Sequence, residues 1–105
     1  MKKFECIAGI SSESTRQLLS VFRSEISISD VVLYGSRAKG NFRPGSDIDL
    51  TIKGDDLTTT WLMQLSMQLD DLLLPYEIDL SIYSHIENED LIEHIDRVGK
   101  IIFSR

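Results

Sequence analysis

The chain has 105 residues and a mass of 12.0 kDa, with 11 basic against 17 acidic side chains and a net charge of −6. That length fits one domain, expected over residues 1–105, and the acidic balance excludes generic DNA coating, which draws its affinity from a basic face. A hydrophobic fraction of 42% and a charged fraction of 27% are those of a folded globular chain, not a disordered one. No apolar run approaches the roughly 20 residues of a membrane span. The start, Met1-Lys2-Lys3-Phe4-Glu5-Cys6, lacks the apolar core of a secretion signal, and the single cysteine has no internal disulfide partner. A cytoplasmic location and a small, half-buried thiol at Cys6 are therefore expected.

In chain order, Gly9-Ile10-Ser11-Ser12 reads as a helix entry with a serine N-cap and Glu13 in the first turn. Leu18, Leu19, Phe22 and Ile26 recur at helical spacing, which predicts a helix over about 12–25. Val31-Val32-Leu33-Tyr34 is a continuous apolar run, suited to a strand buried on both faces. Residues 35–46, GSRAKGNFRPGS, then gather Gly35, Gly40 and Gly45 with Arg37, Lys39 and Arg43, and read as a loop. Asp47-Ile48-Asp49-Leu50-Thr51-Ile52-Lys53 alternates strictly, with Ile48, Leu50 and Ile52 on one face and Asp47, Asp49, Thr51 and Lys53 on the other.

After Gly54-Asp55-Asp56 a helix is predicted over about 57–74, with Leu57, Trp61, Leu65, Leu69, Leu72 and Leu73 as its stripe and Pro75 as its stop. Residues 77–83 alternate again, setting Glu77, Asp79, Ser81 and Tyr83 opposite Ile78, Leu80 and Ile82. A last helix starts near Asn88 and ends at Gly99, and Ile101–Phe103 read as a short closing strand. The fold class is thus α/β (α+β): a small mixed sheet with helices packed on its apolar face and carboxylates on the other.

That second face carries chemistry. Asp47 and Asp49 point the same way with Cα atoms about 6.6 Å apart, and Asp79 joins them if its strand pairs in register. Three such carboxylates repel one another, and a divalent, oxygen-seeking cation relieves the repulsion. Two Mg²⁺ ions, or Mn²⁺ in their place, can clamp the attacking and leaving oxygens of a phosphoryl displacement. The preceding loop offers what phosphates need: backbone N–H groups at Gly35 and Gly40, the Ser36 hydroxyl, and the charges of Arg37, Lys39 and Arg43. His85 and His94 have no metal spacing and read as solvated or capping residues. Tyr34 suits either packing or stacking on a base.

Gly35-Ser36, ten intervening residues, then Asp47-Ile48-Asp49 resembles the GS-x10-DxD signature of the DNA polymerase beta-like nucleotidyltransferase superfamily. The short length and the GSRAKG and SDIDL segments resemble its minimal nucleotidyltransferase (MNT) family, over about Gly9 to Phe103. The resemblance implies a palm that binds Mg²⁺–ATP and transfers AMP to an acceptor hydroxyl, releasing pyrophosphate. It implies phosphate contacts at Gly35 and Ser36, to which the charges of Arg37 and Lys39 in the same loop are expected to add, metal ligation by Asp47, Asp49 and Asp79, and help from Asp79 in deprotonating the acceptor. Small MNT proteins are often encoded beside a HEPN-type helical protein as antitoxin and toxin, and some adenylylate a tyrosine of that partner. The palm is expected to stand alone, its acceptor arriving on another molecule. A partner-binding antitoxin module with little catalysis, and transfer to RNA or a small molecule, are the alternatives.

Three other motifs are excluded. A Walker A loop needs Lys-Ser/Thr after Gly40, where Asn41-Phe42 stands. An EF-hand beginning at Asp47 needs Gly at 52 and Glu at 58, where Ile52 and Thr58 stand. The Asp47-Ile-Asp49-Leu-Thr51 segment mimics a haloacid-dehalogenase-like phosphatase, but there the motif closes an apolar strand, and Pro44-Gly45-Ser46 precedes this one.

Overall fold

The computed structural model describes residue 7 and residues 9–105; Cys6 and its expected half-burial lie outside the described residues. Ser11 caps the first helix, its hydroxyl accepting from the Ser14 N–H at 3.1 Å, and α1 runs Ser12–Ser24. Leu18 and Phe22, four residues apart, are fully buried; burial of each contributes about 1.5–3 kcal/mol. The helix stops before Ile26. Glu25 is already extended, and Ile26, expected to continue the stripe, lies 86% exposed in the turn that swings the chain into the sheet.

Four strands follow: β1 (Ile28–Tyr34), β2 (Ile48–Gly54), β3 (Ile78–Ile82) and β4 (Lys100–Ser104), in the order β3-β2-β1-β4. β1 runs antiparallel to β2 and β4, and β2 runs parallel to β3. A parallel pair needs a crossover, and α3 (Thr59–Asp70) supplies it, with the Thr58 hydroxyl accepting from the Trp61 N–H at 3.1 Å. α3 ends well before Pro75: the Leu73 N–H closes a turn onto the Asp70 carbonyl, Leu73 takes a positive φ of 55°, and its side chain is 87% exposed. The predicted stripe therefore closes at Leu69, with Leu72 partly buried beside the core.

The apolar face of the sheet carries Val31, Leu33, Ile48, Leu50 and Ile52, which share one core with Leu18 and Phe22 of α1 and Leu65 and Leu69 of α3. The fourth helix, α4 (Glu89–Val98), departs from the expectation of helices on that face alone. Its Ile95 packs with Val32 and Tyr34, which point to the opposite side of β1 from Val31 and Leu33. Val32 and Tyr34 make that side of the sheet apolar at its centre, and α4 covers it. α4 also ends for a reason other than the one its glycine implies. Gly99 has φ −62°, not the left-handed cap, and a Cβ there would meet the Ile95 carbonyl and sit 2.7 Å from Val32 Cγ1. Glycine is needed for close approach of the helix end to the strand.

Among the described residues, no helix is long and apolar enough to cross a membrane.

Candidate active site

The register of the sheet decides which side chains meet. Asp49 pairs with Asp79 across the parallel β2–β3 ladder and with Tyr34 across the antiparallel β1–β2 ladder. Residues directly paired share a face, so Tyr34, Asp49 and Asp79 form one row. The next row holds Val32, Thr51 and Ser81, where the Ser81 hydroxyl donates to Thr51 Oγ1 at 2.9 Å. Asp47 lies just before β2, one full pleat ahead of Asp49, and both Asp47 and Asp79 are exposed. The expected in-register pairing of Asp49 with Asp79 is therefore present.

The electrostatics record that proximity. Burial pushes the Asp49 carboxyl above the ordinary carboxylate range, and the negative charges of Asp79 and Asp47 push it further, against a smaller opposing pull from Arg37. The Tyr34 hydroxyl is likewise raised, first by burial and then by Asp79 and Asp49, while a hydrogen bond with Ser81 lowers it. Among the described residues, no three His, Cys, Asp or Glu side chains are drawn together tightly enough to form a closed metal cluster. The donor set suits Mg²⁺ nonetheless: it is all carboxylate oxygen, and its central member sits in the negative field of its two neighbours.

The segment before β2 is more ordered than a loop. Gly35 leaves β1 with φ 76°, and Ser36–Lys39 form a single helical turn, α2. Gly40, at φ 87°, closes it with its N–H on the Ser36 carbonyl at 2.9 Å. Gly35 is required twice over: its φ lies in the left-handed half of the map, and a Cβ there would collide with the Asp49 carboxylate. The glycine thus brings bare backbone against the central carboxylate.

The two faces of α2 separate the loop cations. Ser36 is half-buried and Lys39 exposed. Arg37 was expected to touch phosphate, and its placement does not match a direct contact. It is 3% exposed, donates to the Ser46 carbonyl at 2.7 Å, and lies over the rings of Phe42 (4.9 Å) and Tyr76 (5.6 Å). Its charge reaches Asp49 from beneath while its fork ties the segment's two ends together. Arg43 is exposed, with its backbone N–H donating to the Ser46 hydroxyl. His85 is exposed on the single 3₁₀ turn Tyr83–His85 that follows β3.

His94 is the residue that sequence reasoning missed. Its Nε2 accepts the Gly35 N–H at 3.2 Å across 59 residues of chain, and its ring stands edge-on to Tyr34 at 6.2 Å. No metal-ligand spacing marked it. The available signal was its place next to Ile95 on a helix that had to cover Tyr34.

Comparison with known proteins agrees with this geometry. No curated protein matches the chain. Solved structures do. A toxin–antitoxin complex with AMP-PNP is similar at 22% identity and a TM-score of 0.71, over 87% of this chain and 73% of that one. A tri-AMPylated Shewanella oneidensis HEPN toxin in complex with MNT antitoxin is similar at 17% identity and a TM-score of 0.67, over 91% and 74%. A toxin–antitoxin MntA–HepT complex is similar at 18% identity and a TM-score of 0.66, over 90% and 74%. At such identities the likeness is one of fold. Residues 16–105 match the family described as Polymerase beta, Nucleotidyltransferase, and with the GS turn seated against the paired aspartates of that stretch, the chain belongs to the polymerase beta nucleotidyltransferase family.

Proposed function

We propose that this nucleotidyltransferase is a Mg²⁺-dependent protein adenylyltransferase that moves AMP from ATP to a tyrosine hydroxyl of a HEPN-type partner protein. The observation that carries the reading is the register pair Asp49–Asp79 lying against a Cβ-free Gly35. Carboxylates meet bare backbone there, as simultaneous metal and phosphate binding requires. Support for the nucleotide and the acceptor comes from two similar structures, one a toxin–antitoxin complex with AMP-PNP and one holding a tri-AMPylated HEPN toxin.

In this reading Asp47, Asp49 and Asp79 hold Mg²⁺, which when bound neutralises charge on the phosphates and on the oxygens of the in-line displacement. Gly35 and Ser36 place backbone and hydroxyl donors against the triphosphate, and exposed Lys39 adds a positive charge beside them. The acceptor oxygen forms a bond to the α-phosphorus, the bond from that phosphorus to pyrophosphate breaks, and Asp79 takes the hydroxyl proton. Asp79 suits that role because it is solvent-exposed at the rim of the row, where an incoming hydroxyl reaches it before Asp49. Arg37 holds the turn from inside.

The test uses the full chain, Mg²⁺, a purified HEPN-type protein as acceptor, and ATP labelled at either the α or the γ position. Label should enter the partner from α-labelled ATP alone and vanish with Asp47→Ala or Asp49→Ala. Label from the γ position, or transfer undiminished in either variant, refutes the assignment. If the double variant Asp47→Ala/Asp49→Ala still fully neutralises the partner, neutralisation rests on binding and not on modification.

A further inference from the structure

We propose that His94 is a positioning residue of the transfer site. By accepting the Gly35 N–H, it fixes the peptide on which the nucleotide-binding turn hangs. The inference rests on the function proposed above and adds a residue outside the GS and aspartate motifs.

Pairing with β4 ends at Leu33–Lys100 and pairing with β2 at Tyr34–Asp49, so Gly35 is the first residue beyond both ladders. Its backbone then turns to φ 76°, ψ −157°, a conformation open only to glycine. With no Cβ and no ladder partner, Gly35 is held at its carbonyl by the Lys39 N–H at 3.1 Å, yet α2 and the approach to Asp49 depend on the orientation of its N–H side as well. His94 supplies the missing constraint. Its Nε2 takes the Gly35 N–H at 3.2 Å, which puts the imidazole proton on Nδ1.

The imidazole is itself held. Ile95, the next residue, packs with Val32 and Tyr34, and the Tyr34 ring meets the imidazole edge-on at an interplanar angle of 80°. The last two residues of the turn's entry, Tyr34 and Gly35, are thus both gripped from α4, one through its ring and one through its peptide. A helix whose other face is acidic (Glu89, Glu93 and Asp96) presents its one imidazole inward at this point. Arg37 holds the turn from inside and the Lys39 N–H holds the Gly35 carbonyl, so the His94 bond is the one that fixes the Gly35 N–H at the turn's entry, and its loss should weaken nucleotide capture without touching the groups that bind the acceptor.

The test pairs His94→Leu, which keeps bulk and removes the acceptor, with His94→Gln, whose amide oxygen reaches the place of Nε2. His94→Leu should raise the KM for ATP about three- to tenfold, the span of one net hydrogen bond, with the KM for the partner protein unchanged. His94→Gln should recover most of that loss. In the ¹H–¹⁵N spectrum the Gly35 amide should move upfield in His94→Leu and stay near its wild-type position in His94→Gln. Direct titration with Mg–ATP separates the two levels of the argument. A wild-type chain that binds no Mg–ATP refutes the proposed function and the positioning role with it. Wild type and His94→Leu binding equally well refutes positioning alone, as does a KM shift shared by both substrates or a Gln variant no better than Leu.

Discussion

Replacing Asp49 by asparagine should stabilise the metal-free protein while abolishing transfer. Asp49 sits between two other carboxylates, in register with Asp79 and two residues from Asp47, and its ionised form is disfavoured first by burial and then by both neighbours. Paired strands lie about 4.8 Å apart. Two unit charges at that distance in a water-like medium repel by about 0.9 kcal/mol, and physiological salt removes close to half of it. The second carboxylate and the burial raise the figure again, Arg37 offsets part of it, and solvent screening at this half-exposed site keeps the net near 0.5–1 kcal/mol. For a chain of this size that is a gain of about 2–8 °C in Tm. Asparagine keeps the shape that lies against Gly35 and offers an N–H₂ to Asp79.

The pH dependence carries its own sign. The folded-state value of Asp49 is raised above the unfolded one, so the native state holds a proton that the unfolded chain releases more readily. Wild-type stability from this group is therefore present in acid and falls as pH rises through the window above the ordinary carboxylate value. The asparagine variant does not titrate there, so its advantage should be small in acid and full at neutral pH. Thermal melts in chelator at both pH values read this directly, and added Mg²⁺ should raise the wild-type melt more than that of the variant. An Asp49→Asn protein that melts at or below wild type at neutral pH, or whose advantage ignores pH, refutes the repulsive-cluster argument.

Gly35→Ala should cost about 1–3 kcal/mol, because φ is 76° and the new methyl drives into the Asp49 carboxylate; a chemical denaturation curve unchanged from wild type would show that the turn is not constrained as described. Arg105→Ala should lower stability by about 1–2 kcal/mol with transfer unchanged. Its guanidinium donates to the carbonyls of Phe22, Arg23 and Ile28 where α1 ends and β1 begins, on the far side of the sheet from the aspartates, so a loss of activity at equal folded fraction would contradict that placement. Arg37→Met should keep the apolar stem and lose the bond to Ser46 and the stacking on Phe42 and Tyr76, costing about 2–3 kcal/mol and opening residues 41–46 to protease; resistance equal to wild type would refute the clamp.

The elements legible in the sequence were those whose periodicity was uninterrupted. The strict alternation in β2 and β3 fixed which side chains face the helices, and with it the face shared by Asp49 and Asp79. Helix ends were legible where a side chain made the cap, as with Ser11 and Asn88, whose oxygens accept from the first-turn N–H groups. They were not legible where the backbone alone ended the helix. Leucine continues the apolar pattern past Asp70, and nothing in the letters announces that Leu73 takes φ 55° and turns outward. Gly99 gave the right boundary for a different physical reason, the approach of Val32, which depends on a strand nearly seventy residues earlier. The side on which α4 lies was implied by the continuous apolar run of β1: a strand buried on both faces needs a cover over Val32 and Tyr34, which conflicts with helices on one face alone, and the amphipathic α4 is the element that supplies it.

The site was legible in its acidic half because strand geometry is rigid, and less so in its basic half because the intervening segment was read without a period. Three cations among three glycines look alike when the segment is taken as a loop, and all three then seem free to meet phosphate. Once Ser36–Lys39 is a helical turn, the 3.6-residue repeat sorts them. Ser36 and Lys39, three apart, share a face and lie toward solvent, while Arg37 and Ala38 turn into the molecule at 3% and 4% exposure. A buried guanidinium must be partnered, and the chain meets that need with the Ser46 carbonyl just ahead of Asp47, tying the end of the glycine segment to the start of the carboxylate strand. One arginine therefore couples the two halves of the motif mechanically, and the ten-residue spacing between Gly35-Ser36 and Asp47 is the length of chain that Arg37 spans. Lys39 is the exposed cation of the turn, so under the proposed function a charge-removing change at position 39 should weaken triphosphate binding with the fold intact, whereas the same change at position 37 should loosen the fold first.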